Sequence, residues 1–146
     1  MRVIGFNFTK VVAEKMKGFK PGFGISTNIN FIDIEKEGTD IQKEDFEALR
    51  VSFNFSVLYL DKEKKDSKKA EVSLTGFIIL MASKEESKNL LKDWSKKEIS
   101  AGFRVPLFNF ILKRCSTRSL QLEEELNLPL HVPMPQVKFG KKESKN

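Results

Sequence analysis

LRVSFNFSVLYL, residues 49–60, decides the fold. Leu49, Val51, Phe53, Phe55, Val57 and Tyr59 alternate with Arg50, Ser52, Asn54 and Ser56. Side chains on a strand point to opposite faces in turn, so this segment is a strand with one apolar and one polar face. The pattern extends upstream. In residues 2–13, Ile4, Phe6, Phe8 and Val12 share one parity against Gly5, Asn7 and Thr9. Phe23, Ile25, Ile29 and Phe31 alternate with Gly24, Ser26, Asn28 and Asn30. Between these two runs, Lys17-Gly18-Phe19-Lys20-Pro21-Gly22 is turn chemistry. The parity flips at Ile32 and Ile34, which predicts a bulge or a stretch buried on both faces. Downstream of a lysine-rich turn, Val72 and Leu74 alternate, and the run after Gly76 is uniformly apolar, as in a strand covered on both faces. Four strands on short connections predict an antiparallel sheet, because parallel pairs need crossovers of about a dozen residues.

The period changes after Met81. Ser83-Lys84-Glu85-Glu86 is a capping box, which opens a short helix whose buried stripe is Leu90, Leu91 and Trp94. Gly102 reads as a break, and Pro106 suits the first turn of a second, longer helix. At about 100° per residue, Leu107, Phe108, Ile111, Leu112, Cys115, Leu122 and Leu126 share one sector, with Phe110 and Leu120 outside it. This helix must stop before Leu128-Pro129. The following LPLHVPMPQVKF reads as an extended strap over the core. Strands followed by helices make an α+β fold, a four-stranded antiparallel sheet with a short and a long helix on one face. On the other face Phe77, Ile79 and Met81 form an apolar patch, the kind of surface a partner covers.

A chain of 146 residues suits one domain, here residues 1–140, with 141–146 as a charged, disordered tail. No apolar run nears the roughly 20 residues of a membrane helix, and the N-terminus lacks the apolar core of a signal peptide. The single cysteine, Cys115, fits a reducing, cytoplasmic setting. The net charge is +6, but much of the excess lies in the lysine-rich turn (DKEKKDSKK, 61–69) and the tail KKESKN. That placement disfavours a basic nucleic-acid groove.

Catalytic motifs are absent. Gly22-Phe23-Gly24 is too short for a dinucleotide fingerprint and precedes a strand. One histidine excludes a multi-histidine metal site, and neither a catalytic residue, a metal nor a cofactor is expected. Cys115 sits on the apolar helix sector as a small hydrophobe, and His131 reads as a hydrogen-bonded structural histidine. Glu123-Glu124-Glu125 reads as a solvated face, and Arg118 as a partner for a carboxylate. The sharper feature is 13 Phe against one Trp and one Tyr. Phe19 and Phe23 flank a turn, where an aromatic ring has no automatic place in a core. They suit the lining of a groove for apolar segments of another chain.

The order of elements and three segments resemble the SecB-type chaperones. EVSLTGFIIL (71–80) is similar to that family's fourth strand, Pro106-Leu107-Phe108 to the opening of its long helix, and ELNLPLHVPMPQVKF (125–139) to the proline-containing segment that follows. The resemblance implies an ATP-independent holdase that binds unfolded polypeptides in apolar grooves and assembles as a dimer of dimers. It serves export or a dedicated client such as an antitoxin. It places Phe19 and Phe23 in the crossover loop of the groove, with Phe108, Phe110 and Leu112 from the long helix. The family's Pro-Tyr-Ala-Arg is here Asn109-Phe110-Ile111-Leu112, and the tail has no Cys or His for the zinc-bearing dock of the translocase motor, so that docking is not implied. The alternatives are a nucleic-acid-binding module and a small-ligand-binding α+β domain.

Overall fold

The computed structural model describes residues 1–20, 22, 24–38, 45–64 and 67–140. Four strands come first: β1 (Arg2–Lys15), β2 (Gly24–Lys36), β3 (Phe46–Leu60) and β4 (Lys68–Ser83). Two helices follow, α1 (Lys84–Ser95) and α2 (Ala101–Glu125). The sheet is antiparallel throughout, in the order β1-β4-β3-β2. The chain therefore crosses the full width of the sheet from β1 to β2. Gly18 and Gly22 in that link hold φ of 83° and 95°, which only glycine adopts without strain. The α+β architecture predicted from four strands followed by two helices is the observed one.

The alternation of β3 survives residue by residue. Val51, Phe53, Phe55, Val57 and Tyr59 are fully buried, with Val72, Leu74, Ile78 and Leu80 of β4 beside them. Each such side chain contributes about 1.5–3 kcal/mol on burial, so the two central strands hold the core. The parity flip at Ile32 is a bulge: register shifts between Phe31 and Asp33, and Ile32 turns outward. The first strand departs from its simple reading. It bulges twice, between Val3 and Gly5 and between Phe8 and Lys10, so Val12 leaves the parity of Phe6 and Phe8 and Ile4 is exposed.

The face away from the helices is polar at its centre, where Asn54 Nδ2 donates to Ser73 Oγ and Thr75 Oγ1, both at 3.0 Å. Phe77, Ile79 and Met81 are half-buried rather than covered by a second layer. The Arg50 guanidinium lies 3.9 Å from the Phe77 ring centre, and Glu37 holds Arg50 at 2.7 Å. The hydrogen bond from Arg50 keeps the Glu37 carboxyl below the usual carboxylate range.

The capping box is present at α1. Glu86 N–H donates to Ser83 Oγ at 3.1 Å, and Ser83 N–H donates to Glu86 Oε1 at 3.0 Å. Ser83→Ala is expected to cost about 1 kcal/mol in urea denaturation, the usual worth of such a cap. The second helix starts earlier than Pro106. Ser100 O accepts from Phe103 N–H and Arg104 N–H at 3.0 and 2.9 Å, so Gly102 is helical and Pro106 lies inside the helix. Proline deprives only the Gly102 carbonyl of its donor, and Gly102 and Pro106 are both exposed, so water replaces the lost bond. The helix ends at Glu125, with Asn127 at φ 54° just before Leu128-Pro129. Its buried row is Leu107, Ile111, Cys115, Ser119, Leu122 and Glu123, whereas Leu112 is 41% exposed. No described helix is long and apolar enough to cross a membrane.

Candidate functional site

The sheet has two edges, and they differ. β1 is broken by two bulges, the usual device for blunting an edge. β2 pairs with β3 without interruption from Gly24 to Phe31. Among the described residues its outer N–H and C=O groups face no other strand, and Ile25 and Ile32 on it are exposed. Beside this edge lies a cleft of about 270 Å³, lined by Ile29 and Phe31 of β2, Trp94 of α1, Ile99, and Arg104 and Phe108 of α2. The Phe31 and Phe108 rings are tilted against each other with centres 5.0 Å apart. Trp94 Nε1–H donates to Asp33 Oδ1 at 3.2 Å, which ties α1 to the bulged end of β2. Asp33 Oδ1 also accepts from Ile34 N–H at 2.9 Å. The Lys97 ammonium sits 3.9 Å from the Trp94 ring centre. The result is an aromatic floor, a cationic rim and an open strand edge. Such a cleft takes an apolar side chain by area rather than by shape, while the edge takes a backbone in extended form.

The five residues expected to line a groove do not all meet in one chain. Phe108 lies in the β2 cleft. Phe110 lies on the other side of α2, its ring centre 5.7 Å from that of Phe6 on β1, with the Arg114 guanidinium over both rings. Phe19 lies toward the far end of α2, edge-on to Tyr59 at 6.0 Å, and borders a cleft of about 480 Å³ with Leu128, Pro129 and Leu130. Leu112 is turned to solvent rather than into the buried sector. Phe23 lies outside the described residues. Phe31 and Trp94 complete the β2 cleft but come from segments remote in sequence. The resemblance that placed Phe108 in a groove did not join them to it.

A second polar constellation sits under the strap. Glu123 is fully buried, which corrects the solvated reading for that glutamate, whereas Glu124 and Glu125 are exposed. His131 Nδ1 lies 2.7 Å from Glu123 Oε2, and the His131 backbone N–H donates to Glu123 Oε1 at 3.0 Å. A carboxylate only accepts, so the Nδ1 position carries hydrogen. The other ring nitrogen, Nε2, lies 3.2 Å from Ser116 Oγ. The side chains of His131 and Glu123 are 1% and 0% exposed. The Tyr59 hydroxyl donates to the Pro129 carbonyl, and burial, with the Glu123 charge second, raises its pKa. Burial likewise pushes the Cys115 thiol up to about 12, so Cys115 is an inert core residue. Serine, histidine and glutamate stand in the order of a hydrolytic relay, but the site cannot run one. Ser116 lies in mid-helix, where neighbouring N–H groups are committed to helix bonds, and the imidazole is closed to substrate.

The group instead clamps the strap. Leu128 N–H also donates to Glu123 O at 2.8 Å, and Lys15 Nζ to Leu126 O at 2.7 Å. Beyond residue 132 the strap leaves the body, and Val137 and Phe139 are fully exposed rather than laid on the core. Arg118 bonds Gln121 Oε1 at 3.0 Å, not a carboxylate.

No family model and no curated protein matches the chain. Among solved structures it is similar to a SecB-like chaperone of Mycobacterium tuberculosis, solved in complex with a peptide from an antitoxin. The match covers 94% of this chain and 91% of that one, at 13% identity and a TM-score of 0.49.

Proposed function

We propose that the chain is an ATP-independent holdase that binds unfolded polypeptide segments along β2. One observation carries this reading: an uninterrupted strand edge runs beside the Phe31–Trp94–Phe108 cleft. An extended client adds main-chain bonds to the edge and seats an apolar side chain in the cleft. Phe19, Phe23, Phe110 and Leu112 extend the contact over the rest of the surface. Assembly as a dimer of dimers covers the apolar residues that one copy leaves half-exposed. The SecB-type wording of residues 71–80, 106–108 and 125–139 points the same way, and the same resemblance suggests a cytoplasmic role in export or with a dedicated client.

The test is suppression of aggregation of a chemically unfolded protein without ATP, at low and high salt. Suppression near one oligomer per client is expected, and most of it should persist in high salt, because apolar burial is not screened. Phe108→Ser, checked for an unchanged far-UV spectrum, should weaken suppression several-fold. No suppression at several-fold excess overturns the reading. Suppression lost entirely in high salt would replace the apolar cleft with a charged surface.

A further inference from the structure

We infer that this site selects client segments carrying carboxylates next to an apolar residue, read by a rail of lysines on α1; the inference rests on the client-binding reading of β2. Past the Trp94–Asp33 bond, β2 runs on to Lys36, which borders a second cleft of about 590 Å³ against α1. Lys84, Lys88 and Lys92 line the same cleft. They stand one helical turn apart, at i, i+4 and i+8, and so form one exposed stripe. Leu91 adds an apolar contact beside them. Like charges at this spacing repel along a helix. Among the described residues none of these three lysines forms an ion pair that would offset the repulsion. Glu47, the carboxylate in the cleft, is already engaged: the Ser87 hydroxyl donates to it at 2.6 Å and Lys36 Nζ lies 3.4 Å away. Glu47 also attracts Lys84, so the cleft presents a net positive charge, four lysines to one carboxylate, to whatever lies along β2.

Both clefts border β2 and α1, one on each side of the bulge at Ile32, so a client pairs with the edge up to Phe31 and reaches Lys36 beyond the bulge. From Ile29 to Lys36 an extended chain spans about 23 Å, so a segment of about eight residues covers both. Its apolar residue meets Phe31, Trp94 and Phe108, and its carboxylates meet Lys36, Lys88 and Lys92. A polypeptide fits this better than a nucleic acid. The open edge of β2 offers amide and carbonyl groups for another backbone. Asp33, Glu47 and Glu98 are interspersed with the cations, and they would oppose a strand charged at every step.

The probes are two labelled peptides of about 14 residues that share an apolar half containing Phe and Leu; the other half carries glutamates in one and glutamines in the other. Anisotropy with the full chain should show the glutamate peptide binding about tenfold tighter at about 50 mM salt, with the difference collapsing near 500 mM, as a few exposed ion pairs would give. Lys84→Gln/Lys88→Gln/Lys92→Gln keeps helix propensity. It should bring the glutamate peptide to the glutamine level and leave the glutamine peptide unchanged. Equal affinities in low salt overturn acidic selection and leave the client site standing. Binding of neither peptide overturns both. A single-stranded RNA of equal charge that binds more tightly than the glutamate peptide overturns it too, in favour of a nucleic-acid surface.

Discussion

His131→Leu is expected to destabilise the chain by about 3 kcal/mol, because it strands a buried carboxylate without its ring donor. Glu123 would keep the His131 backbone N–H but lose the 2.7 Å contact to Nδ1. Leucine restores apolar contact with Phe55, whose ring now meets the imidazole edge-on at 6.0 Å, so packing loss does not account for the effect. Adding Glu123→Leu removes the stranded charge and should return most of the loss, leaving the double variant within about 1 kcal/mol of the parent. Urea denaturation of the two single variants and the double one measures this cycle directly. A His131→Leu cost below about 0.5 kcal/mol would show that water, not the imidazole, satisfies Glu123.

Gly76→Ala should cost a comparable amount, about 3 kcal/mol, through overpacking. A Cβ at residue 76 would lie 2.2 Å from the Asn7 carbonyl oxygen and 3.1 Å from Phe8 Cα. These are backbone atoms and cannot rotate away, so β1 must lift off β4. Gly5 provides the control, since its added Cβ meets only the Ile79 side chain, at 3.3 Å, and a flexible side chain yields. Gly5→Ala should therefore be far milder. Hydrogen exchange should show the Gly76→Ala loss concentrated in β1 amides. A uniform loss across the sheet, or a cost under about 1 kcal/mol, contradicts this account.

The legible parts of the fold were those where one rule governs alone. In β3 a single apolar face is buried along the whole strand, so alternation alone placed Leu49 to Tyr59. At Ser83 the cap is local, and four consecutive residues carry it. The bulges of β1 were not legible, because Phe6 and Phe8 lie between them and keep their parity. Glu123 was misread because a run of three acids ordinarily faces water. The contrary signal was position: 111, 115, 119 and 123 form one row at i+4 spacing, and all four are buried. The candidate site was legible only at Phe108. Phe31 and Trp94 join it through the sheet edge, and an edge depends on strand order, which periodicity does not encode. The lysine rail was written in the spacing of Lys84, Lys88 and Lys92, but it gains meaning only once α1 is seen to lie beside Lys36.

The strand order also dictates a sequence of assembly. β2, β3 and β4 are neighbours in the chain and zip as successive hairpins. The β1–β4 ladder joins Lys15 to Ala70 and Arg2 to Met81, so every rung closes a loop of more than fifty residues. Contacts that distant in sequence are slow to form, since the entropy of closure precedes any reward. On the ribosome β1 is synthesised first, yet it has no partner until β4 emerges. Through that interval Phe6, which later packs on Phe53 and Phe110, and Phe8, which packs on Phe6, stay in water. A nascent copy of this chain thus displays an unfolded apolar strand of the kind that the finished molecule is proposed to hold.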